Sequence, residues 1–82
     1  MFAFFLKGKF RALGNLGDVL MKMKDPSQAV KVYQKQLILA KQSGDKTLEA
    51  VAYGALGLCH RQMQCFDKAL GYHTQVIISF FN

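Results

Sequence analysis

Eighty-two residues make at most one small domain with a modest core, and its stability is a small difference between large terms. Eleven Lys and Arg against five Asp and Glu give a formal net charge of +6, which favours an acidic partner. No stretch approaches the roughly 18 apolar residues of a membrane span, and Met1 to Leu6 is too short for a secretory signal, its positive charges following rather than preceding it.

In chain order, a first helix is expected from about Phe4 to Met23, with Leu13, Leu16, Leu20 and Met23 recurring at three and four residues on its inner face. Gly14 and Gly17 weaken an isolated helix by around 1 kcal/mol each. Their value must lie in packing, by letting another helix come close. Lys24-Asp25-Pro26 stops this helix and starts the next: Asp25 suits an N-cap, Pro26 the first helical position, and Gln28 the reciprocal arm of a capping box. The second helix runs from Pro26 to about Ser43, with Ala29, Val30, Tyr33, Leu37 and Ala40 inward, and Gly44 closes it.

Asp45 caps a third helix, about Lys46 to Met63, whose stripe is Leu48, Val51, Ala52, Ala55, Leu56, Cys59 and Met63. The turn Gln64-Cys65-Phe66-Asp67 places Cys65 at the cap, and a fourth helix follows from about Phe66 to Asn82. It should carry Ala69, Leu70, His73, Val76, Ile77 and Phe80 inward. Ile78, Phe80 and Phe81, with Met1 to Phe5, form apolar ends expected to drive self-association. No run alternates at period two, so no sheet is predicted.

The organising feature is an internal repeat. Ala12-Leu13-Gly14-Asn15-Leu16-Gly17 returns forty residues later as Ala52-Tyr53-Gly54-Ala55-Leu56-Gly57, and the same offset aligns Met23 with Met63, Ala29 with Ala69 and Ile38 with Ile78. What repeats is small or apolar, hence packing, and a period of this length marks a stacked helical unit. The fold class read from it is all-α, two stacked antiparallel helical hairpins in one unit spanning 1–82, with repeat one at about 6–45 and repeat two at about 46–82.

Each copy resembles a tetratricopeptide repeat. The slots that carry the resemblance read Leu13, Leu16, Gly17, Leu20, Ala29, Tyr33 and Gln36, then Tyr53, Leu56, Gly57, His60, Ala69, His73 and Val76. Gln36 departs from the usual small residue, and Lys41 and Phe81 stand where a closing Pro is usual. The long period is similar to that of the G-protein-signalling modulators of spindle orientation, of rapsyn, and of arrays such as tetratricopeptide repeat protein twenty-eight. The resemblance implies a concave groove for a peptide segment, lined by the first helix of each hairpin. Its slots fall on Arg11, Asn15, Asp18 and Lys22 in the first copy and on Ala55, Leu58, Arg61 and Gln62 in the second. Asn15 matches a groove asparagine that holds ligand backbone, which the second copy has lost to Ala55.

Other chemistries fit less well. Cys59, His60, Cys65 and His73 are zinc-ligand types, but Cys59 and His60 are adjacent on a helix and diverge by about 100°. Cys59 takes the place of Val19, His60 of Leu20 and His73 of Tyr33, so the histidines read as partly buried packing residues and the thiol as inert in an apolar core. The acids are absorbed singly by caps and exposed faces, and no phosphate-cradling loop occurs. No enzyme activity, cofactor or metal is therefore expected, and two reduced thiols suit the cytoplasm. The function expected is a scaffold module binding an acidic peptide. The alternatives are a self-associating fragment of a longer array or a non-specific nucleic-acid binder, although the positive charges are scattered rather than gathered on one helix face.

Overall fold

A computed structural model describes residues 2–81 as four helices: α1 (Phe2–Lys22), α2 (Pro26–Ser43), α3 (Lys46–Gln62) and α4 (Phe66–Phe81). Each packs chiefly on the helix next to it in sequence, α1 on α2, α2 on α3 and α3 on α4. Joined by turns of two or three residues, successive helices run antiparallel, so α1 and α3 run the same way. The Cα atoms occupy 39 × 29 × 13 Å, a slab thin enough that most side chains keep contact with water.

The caps act largely as their residue types require. The Asp25 carboxylate accepts from the backbone N–H of Gln28 at 3.3 Å, and that of Asp45 accepts from Thr47 and Leu48 at 2.9 and 3.3 Å. Gly44 takes the left-handed conformation at φ 72°, its N–H donating to Lys41 O. The capping box at Asp25 is not completed by Gln28, because the Asp25 N–H already donates to Leu20 O at 2.9 Å. That bond, with Lys24 N–H to Met21 O, is a Schellman closure of α1. It recurs forty residues on, where Cys65 N–H donates to His60 O and Gln64 N–H to Arg61 O. Both closures place a residue other than Gly in the left-handed region, Lys24 at φ 61° and Gln64 at φ 62°.

The core is narrow. Ala29, Tyr33, Leu56 and Cys59 form one buried cluster, and Phe10, Ala40 and Ala52 another, bridged by Leu37. On α1 the buried residues are Leu6, Phe10 and Gly17, with Leu20 half-buried, whereas Leu16 and Met23 lie exposed. On α4 only Ala69 and Ser79 are buried. Leu70, His73, Ile77 and Phe80, expected inward, are exposed, as are Ile78 and Phe81. For Leu16, Leu70, His73, Ile77 and Phe80 the physical reason is common, since their counterparts Leu56, Val30, Tyr33, Leu37 and Ala40 are buried or half-buried, whereas Ile38, the counterpart of Ile78, is itself exposed. Each of the two helices has one apolar face for its own hairpin partner and a second for a neighbouring hairpin, and periodicity marks both faces without saying which is covered. Val51 is exposed for another reason: it is the counterpart of Arg11, on the side of α3 that faces solvent. Of the apolar cluster expected at Met1 to Phe5, only the side chain of Phe5 falls within the described residues, and it is exposed. Asn82 also lies outside them.

The repeated glycines do give room for close packing, filled by a side chain rather than by helix backbone. A Cβ on Gly17 would stand 2.6 Å from Cζ of Tyr33, and one on Gly57 would stand 2.7 Å from Cε1 of His73. Gly14 makes space in the same way for Gln36, whose Nε2 donates to Phe10 O at 3.2 Å.

Candidate functional site

The groove slots on α1 are spaced by four, three and four residues, which puts Arg11, Asn15, Asp18 and Lys22 on one side of the helix, all exposed. On α3, Leu58, Arg61 and Gln62 are exposed and Ala55 is packed against the core, so Ala55 offers little to a ligand. The two helices touch where Cys59 Sγ approaches Met21 Sδ at 3.4 Å. By the forty-residue offset, Gln62 is the counterpart of Lys22 and Arg61 that of Met21. Arg61 therefore leans to the side of α3 away from α1, and the levels of Arg11 and Arg61 differ by ten residues, about 15 Å of helix rise. The eight slots thus form an extended strip rather than a single cluster.

Asp18 has an internal partner. Its carboxylate accepts from the Tyr33 hydroxyl at 2.6 Å, and burial, reinforced by that bond and by the negative charge, pushes the phenol well above its ordinary range. The cations are uncommitted: among the described residues the ion pair found is Lys46 with Glu49 at 3.5 Å, which leaves Arg11, Lys22 and Arg61 without an internal counter-ion. Arg11 also borders a hollow of about 340 Å³ with Lys7, Phe10, Asp45 and Leu48.

A groove of about 500 Å³ between α1 and α2, floored by Ala12, Leu13, Ile38 and Leu39 and flanked by Lys9 and Lys35, was not anticipated from sequence. It lies on the face of the hairpin away from α3. The signal was available in the repeat, since Ala12 and Leu16 are identical to Ala52 and Leu56, which α2 covers.

The thiols and histidines do not converge, and among the described residues no three of His, Cys, Asp and Glu gather as ligands. Cys59 is fully buried, and burial pushes its thiol up to about 11, so it stays protonated and unreactive. Cys65 is exposed. His60 is buried and stacked on Tyr72, ring centroids 5.3 Å apart, with Nδ1 unpartnered; desolvation, aided by the nearby charge of Lys68, holds its pKa below the ordinary 6.5. His73 is exposed rather than partly buried, because among the described residues no helix covers the face of α4 that it occupies.

A protein of this build is a helical-hairpin repeat, with no helix among the described residues long and apolar enough to cross a membrane. The family profile described as Tetratricopeptide repeat matches residues 9–77, and the chain belongs to that family. Such repeats generally mediate protein–protein interaction and are typically non-enzymatic. Comparison with curated proteins and with solved structures finds no match in either.

Proposed function

We propose that this chain is a scaffold module that holds an acidic, extended protein segment along the exposed strip of α1 and α3. The observation that supports this is the set of uncommitted cations, Arg11, Lys22 and Arg61, carried beside Asn15 on rigid helices. Carboxylates would meet the Arg side chains in charge-assisted hydrogen bonds, and ligand backbone would meet Asn15. Asp18, held by Tyr33, sets the hydroxyl in place and repels an acidic side chain at mid-strip, so the favoured segment has its acids toward the ends. The forty-residue period favours the long variety of the repeat, divided at about residue 45, and two thiols without a partner suit a cytoplasmic setting.

The test is anisotropy of a labelled Asp- and Glu-rich peptide against the parent chain, Arg61→Glu and Lys68→Glu. Binding should weaken with salt, since exposed charges are screened within about 8 Å at physiological ionic strength. Arg61→Glu should weaken it more than Lys68→Glu, a reversal of equal charge outside the strip. Equal losses, or equal binding of an unrelated oligonucleotide, would assign the attraction to the net charge of +6 alone.

A further inference from the structure

The junction between the two hairpins records what this sequence packs together. On its α3 side stand Ala52, Leu56 and Cys59, each 0% exposed; on its α2 side stand Tyr33, Leu37 and Ala40. Forty residues before the α3 trio, α1 carries Ala12, Leu16 and Val19, with Leu16 49% and Val19 52% exposed. Forty residues after the α2 trio, α4 carries His73, Ile77 and Phe80, with Ile77 59% and Phe80 67% exposed. The chain therefore presents, on opposite sides, the two halves of a junction that it has already made once internally.

The one large change between these faces is matched by its opposite. Ala40, buried in a cluster against which Leu48 packs, becomes Phe80 on the free α4 face. Leu48 becomes Gly8 on the free α1 face, where a Cβ would meet nothing within 4 Å. A ring gained on one side and an isobutyl group lost on the other roughly conserve volume, which is the kind of exchange packed interfaces tolerate. On the α4 side the fit is free of charged side chains, since Asp67 and Lys68 both stand in its first turn, away from Ile77 and Phe80.

We propose that copies of this chain stack head to tail, the α4 face of one on the α1 face of the next, in the register of the α2–α3 junction. Such a contact joins unlike surfaces, so it extends an open stack instead of closing into a symmetric dimer. It is apolar, and salt does not weaken it, which separates it from the binding of an acidic segment.

Sedimentation velocity over a wide concentration range tests this. The parent should form a series extending beyond the dimer. Leu16→Lys blocks one face and Phe80→Lys the other, each at an exposed position, so helical circular dichroism should persist while association weakens roughly a hundredfold or more. Each variant alone should be a monomer. An equimolar mixture should yield a one-to-one heterodimer and nothing larger, because one intact face comes from each copy. A monomeric parent overturns the proposal. So does either single variant that still dimerises, since like faces would then be pairing about a two-fold axis, and so does a mixture that fails to associate.

Discussion

Changing Gly17 to Ala and Gly57 to Ala makes the same edit at equivalent places, yet the two should move stability in opposite directions. Either change gains about 1 kcal/mol of helix propensity. At Gly17 the new methyl meets the Tyr33 ring, 2.6 Å from Cζ, roughly 1 Å inside ordinary contact. Tyr33 is buried, and its hydroxyl is fixed to Asp18 at 2.6 Å, so the ring has nowhere to go without losing that bond. Overpacking of about 1–3 kcal/mol, with part of a charge-assisted hydrogen bond lost as well, outweighs the propensity gain and leaves a net loss of about 1–3 kcal/mol. At Gly57 the obstructing group is the His73 imidazole, which is exposed and can swing outward. Gly57→Ala should therefore be neutral or stabilising by up to about 1 kcal/mol. Urea titrations followed by far-ultraviolet circular dichroism, at a concentration where the protein is monomeric, read both midpoints directly. A Gly17→Ala protein as stable as the parent would mean that Tyr33 is not held against that glycine.

Lys24→Gly and Gln64→Gly should each stabilise by about 1 kcal/mol, because each relieves a left-handed residue with a Cβ; a lowered thermal midpoint would show that these side chains do something the closure does not require. His60 should make the fold acid-sensitive. Its folded pKa lies below 6.5, so the unfolded chain takes up a proton that the folded chain refuses; stability is full above about pH 6.5 and declines as pH falls toward the lowered folded value. His60→Leu, the residue at the equivalent Leu20, should flatten that slope in melts taken across the range, and an unchanged slope would locate the sensitivity elsewhere. Gln36→Leu removes a buried Oε1 that has no partner, while the Phe10 carbonyl it releases keeps its place in the α1 ladder. The variant should be at least as stable as the parent by chemical denaturation, and a loss above about 1 kcal/mol would show that the amide is fully satisfied.

The period of forty and the cap residues made most of the fold legible. Asp25, Pro26, Gly44 and Asp45 bound α2 between Pro26 and Ser43, because each of these residues has a backbone preference that acts within a few positions. The Schellman closures were not legible, since Lys24 and Gln64 carry no such preference and adopt φ near 60° only because the packed helices around them fix the turn. Nor was the coverage of Leu16, Ile77 and Phe80 readable: apolar spacing shows that a face seeks a partner, and whether one is present depends on neighbouring hairpins. At the candidate strip, Arg11, Asn15, Asp18 and Lys22 came from the family resemblance, and all four lie exposed on one side of α1. The engagement of Asp18 by Tyr33 is a contact across fifteen residues of chain, and no local pattern announces it.

Because each helix rests mainly on its neighbour in sequence, most native contacts close short loops. The search that limits chains with distant pairings is nearly absent here, and folding should fall in the microsecond to millisecond range typical of helical topologies. Either hairpin can form first and serve as the surface on which the other condenses. The α2–α3 junction is then the step that makes the transition cooperative, and weakening it would let the two halves melt at separate temperatures.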